Sequence, residues 1–181
     1  MFTFTAEQNY RHSVYVELHA ILNVVPNLEG VLKGIPTLAN AINELKASNV
    51  SPAEAAVHLS VIVLETLTRP IPLQTRSIIL GHITTARKEG FVYFVRIGRA
   101  LKMGEVSAYP EGMPLLAVIV GHALWYLDTS ERQGNISSLT QKLFVADISG
   151  MLMGKTPEEL AAARGKVFSD EISGRAGRLY D

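Results

Sequence analysis

A row of basic residues offers the side chains whose spacing most suggests a binding role. On a helix, Arg76 and Arg87 stand eleven positions apart, about three turns, so they project in the same direction. Leu80 and Ile83 lie between them on that face, which sets both guanidinium groups into an apolar stripe. An unpaired buried guanidinium is costly. Each must therefore meet a carboxylate, reach the protein's edge or contact an external anion.

The charge distribution points to the same segment. Residues 69–102 carry seven basic and one acidic side chain, a net charge of +6, whereas the segments on either side carry −3 each and the chain is neutral. Arg96, Arg99 and Lys102 recur at three-residue spacing and would form a second basic row on a helix. We predict a basic surface for an acidic protein or nucleic acid, with internal ion pairing as the alternative. Its residues are Arg76, Arg87, Arg96, Arg99 and Lys102.

Two short segments suggest a second chemistry. The stretch Arg11-His12-Ser13, followed by a helix, and the stretch Leu143–Ile148 around Asp147 resemble metal-ligand segments of the HD-type phosphohydrolases. The resemblance implies a helical fold, with His12 and Asp147 as metal ligands for hydrolysis by a metal-bound water. The adjacent His-Asp pair that names the family is absent, so half of the ligands are missing. The alternative is therefore that the chain is a degenerate relative of the HD-type phosphohydrolases.

Other catalytic patterns are incomplete. The chain has no cysteine, which excludes disulfides, thiolate metal sites and a cysteine nucleophile. It has no Gly-x-Ser-x-Gly elbow. Residues 150–156 place three residues between two glycines, whereas a phosphate-binding loop needs four. The sequence therefore favours a protein that is not an enzyme and predicts no cofactor.

Apolar residues that recur every three or four positions predict an all-α domain of about seven or eight helices. Two capping signals, Ser51-Pro52-Ala53-Glu54 and Thr156-Pro157-Glu158-Glu159, mark helix starts. The segment 91–95 is also rich in strand-forming residues, but the basic spacing that follows favours a helix. The predicted helices span residues 6–25, 36–48, 52–68, 73–88, 91–102, 114–127, 136–148 and 156–168.

Glycine, proline and polar clusters predict the connections. A loop should follow Pro26 as far as Pro36, and a polar turn should span residues 128–134. The pattern predicts one compact helical domain over residues 1–168 and a loosely ordered tail over residues 169–181, which shows no periodicity.

Composition narrows the function. Apolar residues make up 48% of the chain and charged residues only 19%, against about 25% in typical domains. A shortage of charge leaves apolar surface that a partner or second copy would cover. The N-terminus lacks a basic leader, so we expect a cytoplasmic protein. We predict a non-enzymatic helical module that self-associates or docks a protein partner. The HD-type hydrolase and a nucleic-acid-coating module are the alternatives.

Overall fold

The computed structural model describes residues 5–88 and 113–180, and all regular structure in these ranges is α-helical. The all-α prediction is therefore confirmed, and the described chain forms a single compact domain. Its eight helices are α1 (Ala6–Ile21), α2 (Leu28–Lys33), α3 (Leu38–Ala47), α4 (Pro52–Thr68), α5 (Leu73–Lys88), α6 (Met113–Arg132), α7 (Ser138–Leu152) and α8 (Pro157–Tyr180).

Helix α4 forms the centre of the domain. It packs against α1, α3, α6 and α7, and none of residues 52–64 is exposed. Two hydroxyls are buried with it, and each is satisfied inside the helix. Ser60 Oγ donates to the Val57 carbonyl at 2.6 Å, and Thr68 Oγ1 donates to the Glu65 carbonyl at 3.0 Å. Because buried polar groups need such partners, α4 tolerates burial on nearly all sides.

Local signals set the helix ends. Ser51 Oγ accepts a hydrogen bond from the Glu54 amide, and Thr156 forms a reciprocal capping box with Glu159. Helices α3, α6 and α7 share one type of C-terminal end. Asn49, Gly134 and Gly154 adopt left-handed backbone angles, with φ between 58° and 77°. The next amide bonds back five residues, which satisfies a terminal carbonyl in a Schellman motif.

Helices α7 and α8 form an antiparallel hairpin closed at Gly154. Leu160 packs directly over Gly150, where any side chain would overlap it. Further along, Arg164 pairs with Asp147, and Lys142 Nζ lies 2.9 Å from Glu171 Oε2. Helix α8 packs mainly on α7, and none of its described residues is fully buried. It is therefore the edge helix of the domain.

Several predicted boundaries differ from the structure. The helix at 73–88 matches at both ends, but α1 stops at Ile21 while Val24 and Val25 remain buried in a turn. The predicted loop after Pro26 contains the six-residue α2, which is too short to show periodicity. Helix α6 continues through the predicted polar turn to Arg132, because its stop signal is Gly134.

The last predicted helix is also longer than expected. Helix α8 continues from Phe168 to Tyr180, through most of the segment predicted to be loosely ordered. The sequence pattern ends because Phe168 and Ile172 are exposed, yet Glu171 still contacts α7 through Lys142. The predicted helix at 91–102 lies outside the described residues.

The two Schellman glycines provide a test of how α5 packs on the hairpin. A Cβ at Gly154 would lie 2.9 Å from Leu73 Cδ1, whereas a Cβ at Gly134 would meet nothing within 4 Å. Both Gly154→Ala and Gly134→Ala place a side chain at positive φ, which costs about 1 kcal/mol. We expect Gly154→Ala to lose slightly more unfolding free energy than Gly134→Ala in urea denaturation, because the half-exposed Leu73 side chain must turn aside. A clearly smaller loss at Gly154 would contradict a Leu73 contact.

Candidate functional site

Arg76 projects inward, as its place in the apolar stripe predicts. Ile79 and Ile83 of the same face are buried, and Arg76 itself is half-buried. Its Nη1 donates a hydrogen bond of 3.0 Å to the carbonyl of Met151 in the last turn of α7. A guanidinium there also lies at the negative end of the α7 dipole. Arg76 therefore gains one hydrogen bond from a helix C-terminus, a partner that the sequence does not indicate, whereas its buried Nε has no hydrogen-bond partner among the described residues.

The side chains of the other four residues of the predicted basic surface lie outside the described part of the chain. Arg87 lies on the last turn of α5, but its side chain lies outside the described residues, as do Arg96, Arg99 and Lys102. The neighbouring Arg69 is exposed and pairs with Glu65 on its own helix at 3.3 Å. Exposed pairs of this kind contribute little to stability. The basic contact surface therefore stays a prediction.

The structure separates the environments of His12 and Asp147. His12 lies on the exposed side of α1, whereas Asp147 is buried on α7, and both helices pack against α4. Asp147 Oδ2 accepts a hydrogen bond from Arg164 Nη1, and no described contact joins it to His12. Within residues 5–88 and 113–180, no three histidine or acidic side chains group as a metal site would require.

Asp147, Arg164 and His58 form a cluster of ionisable side chains between α4, α7 and α8. The Asp147 side chain is only 9% exposed and Arg164 is 37% exposed. Burial raises the pKa of the Asp147 carboxyl, and the Arg164 charge opposes that effect. Burial also lowers the pKa of His58, with Arg164 lowering it further and Glu54 opposing both. The Asp147–Arg164 pair joins the edge helix α8 to α7.

Sequence reasoning did not find this cluster. The run of Glu54, His58 and Glu65 along α4 is typical of an exposed helix face, but the packing around α4 leaves His58 half-buried. Arg164 carried a signal that was available, because it falls on the inward stripe of α8 with Leu160 and Val167. A charged residue among apolar ones on a helix face indicates a buried partner, as it does at Arg76.

A polar cleft of about 470 Å³ lies between α1, the start of α4 and the end of α6. Its most polar groups bond to each other, since the Tyr126 hydroxyl donates to Glu17 Oε2 at 2.9 Å. Burial raises the pKa of that hydroxyl, and the bond to Glu17 raises it further. Hydroxyl groups of Ser13, Ser51 and Ser130 also line the cleft, and no histidine is among its described lining residues.

One outer flank of α8 is different because it carries exposed large apolar side chains. Phe168 is 43% exposed and Ile172 is 67% exposed, one turn apart on the same flank. Ala161 and Gly165 continue this line toward the start of the helix, and both are exposed. A helix surface of this kind can bind another apolar surface.

No family model, curated protein or solved structure matches this chain. None of the helices in the described ranges is long and apolar enough to cross a membrane.

The cluster of ionisable side chains provides a test of its geometry through the pKa of His58. Arg164→Gln should raise this pKa, because a nearby positive charge is lost, and Glu54→Gln should lower it further. NMR titration of the imidazole measures both shifts. Arg69→Gln is the control, since Arg69, the C-cap residue of α4, lies eleven residues after His58, about 16 Å away. It should leave the His58 pKa unchanged.

The imidazole of His58 also makes the stability of the domain depend on pH. Because the folded-state pKa of His58 is lowered, its contribution is present above the unfolded-state pKa of about 6.5 and is lost as the pH falls through the folded-state value. His58→Gln should therefore lose less unfolding free energy than the parent between pH 7.5 and 5. An identical loss in both proteins would contradict the buried placement of His58.

Proposed function

We propose that this chain is a non-enzymatic helical assembly module that self-associates through apolar side chains on the outside of its helices. The outer flank of α8 is the observation that carries the proposal. There Phe168 and Ile172 stand 43% and 67% exposed on the edge helix of the domain. Two large apolar side chains one turn apart form a contiguous surface, and contiguous apolar surface marks interaction sites.

Energetics indicate what kind of assembly to expect. Removing one such side chain from water contributes at most about 1.5–3 kcal/mol. A two-fold interface would bury four of them, against an association cost of roughly 4–15 kcal/mol. The two magnitudes are comparable, so little net binding free energy is left. A dimer held by these four side chains alone is therefore weak and dissociates readily on dilution.

A second exposed apolar surface lies elsewhere on the domain. Leu73 and Met153 are 50% and 54% exposed, and they neighbour each other because Leu73 packs on Gly154. This surface brings together the start of α5 and the end of α7. If the chain docks a different protein instead of a second copy, we expect the contact to use this surface.

Two described contacts count against the alternative functions. In the HD-type hydrolase, Asp147 would offer its carboxylate to a metal, but here that carboxylate accepts a hydrogen bond from Arg164. For nucleic-acid coating, Arg76 would have to face outward, but it donates to the Met151 carbonyl instead. Both residues are engaged inside the domain.

Light scattering at increasing protein concentration tests the proposal. The mass should rise from 19.8 kDa toward twice that value. Phe168→Glu combined with Ile172→Glu should remain monomeric, because the apolar contact is replaced by charge. Ala162→Glu combined with Ser173→Glu is the matched control, with the same charge added to another exposed flank of α8. It should dimerise like the parent.

Two results would count against the proposal at different levels. A parent chain that stays monomeric at every concentration would contradict self-association itself. A dimer that persists in the Phe168/Ile172 double variant would place the contact on another surface, with Leu73 and Met153 the next to replace.

A further inference from the structure

The outer flank of α8 has an order of side-chain sizes that matters for pairing. Its exposed residues follow at spacings of four, three and four positions, which keeps them on one line along the helix. Two small residues come first and two large residues follow. The residues, here called the α8 stripe, are Ala161, Gly165, Phe168 and Ile172.

We infer that two copies of this chain pair through the α8 stripe, antiparallel, about a two-fold axis that passes between positions 166 and 167. The inference rests on the self-association proposed above and adds the surface, the direction and the register. In a two-fold interface each contact occurs twice, so residue i meets residue j and j meets i. For antiparallel helices, the paired positions must then be equally distant from the axis.

The α8 stripe meets this condition in size. Gly165 and Phe168 are equally distant from the axis, and so are Ala161 and Ile172. Each large side chain is therefore placed opposite a small one of the second copy. A Cβ at Gly165 would meet nothing within 4 Å, so the surface there is open to receive the ring of Phe168. Helices pack closely when large residues enter such spaces.

The same register is complementary in charge. Glu158 continues the line of the α8 stripe at the helix start, and it is exposed. The position equally distant on the other side of the axis is 175, an arginine in the sequence. An acidic residue is thus set opposite a basic one at both ends of the paired segment. Opposite charges at the margins of helix pairs favour one orientation over another.

A parallel, in-register pair would lack both forms of complementarity. It would place Glu158 against Glu158, Gly165 against Gly165 and Phe168 against Phe168. Like charges would repel, and the glycine layer would leave a gap while the phenylalanine layer was overfilled. The order of residues along α8 therefore favours the antiparallel arrangement.

Helix α8 is held in place before any pairing. Its inward side contacts α7 through Leu160 over Gly150, through Arg164 to Asp147 and through Glu171 to Lys142. These contacts fix the rotation of the helix, so the α8 stripe faces outward in the single domain. Preorganisation of this kind reduces the entropy lost on association.

Cysteine cross-linking tests the register, and the chain has no cysteine of its own to interfere. In the inferred dimer, position 161 lies beside position 172 of the second copy. Two copies of position 161 are offset by eleven residues, about 16 Å, too far for a disulfide. Mixing Ala161→Cys with Ile172→Cys under mild oxidation should therefore yield a cross-linked dimer rapidly. Each variant alone should yield little.

The control pair is Ala162→Cys mixed with Ser173→Cys, which lies on another exposed flank of the same helix. It should cross-link no faster than an unpaired cysteine. A parent that is dimeric by light scattering but gives no 161–172 product, or gives 161–161 product as readily, overturns the register while leaving self-association intact. A parent that is monomeric by light scattering overturns both.

Gly165→Leu provides a second test, because adding an apolar side chain at this position should weaken dimerisation. A leucine there meets open space in the single domain and favours helix more than glycine does, so stability should not fall. If association were nonspecific and driven only by apolar surface area, this variant would associate more strongly. The inferred packing predicts at least tenfold weaker dimerisation, because the space opposite Phe168 is filled. Stronger association would overturn the inference.

Discussion

Burial of α4 is the constraint on which the rest of the domain depends. A helix without an exposed residue from 52 to 64 must be covered on several sides, and α1, α3, α6 and α7 supply that cover. Its two buried hydroxyls bond to carbonyls of α4 itself, so the covering helices need to present only apolar surface. This allows most of the fold to be built from simple amphipathic helices packed around one centre.

Polar contacts appear where the layer around α4 meets the next helices. Helix α7 provides the partners: its Met151 carbonyl accepts from Arg76 of α5, and its Asp147 pairs with Arg164 of α8. Both arginines lie on apolar stripes, where a guanidinium without a partner would be costly. Each contact therefore fixes the position of a whole helix more narrowly than apolar packing would, since guanidinium geometry is directional.

This division of roles explains how an edge helix can be both anchored and free to bind. The inward side of α8 contacts α7 through Leu160 and Val167 together with two ion pairs. Its remaining apolar residues are then available on the outer flank, where Phe168 and Ile172 are exposed. Anchoring by polar contacts and association by apolar ones separate the fold of α8 from its proposed role.

The sequence by itself determined the helical class, the starts of α4 and α8, and the place of Arg76 on an apolar stripe, because periodicity and capping are local properties. It did not determine which groups bond to Arg76 and Asp147, since Met151 and Arg164 lie on other helices. Nor did periodicity show the full length of α8, whose outer flank is apolar and exposed. Only tertiary packing decided these features, because a buried charge specifies the need for a partner but not its position in the chain.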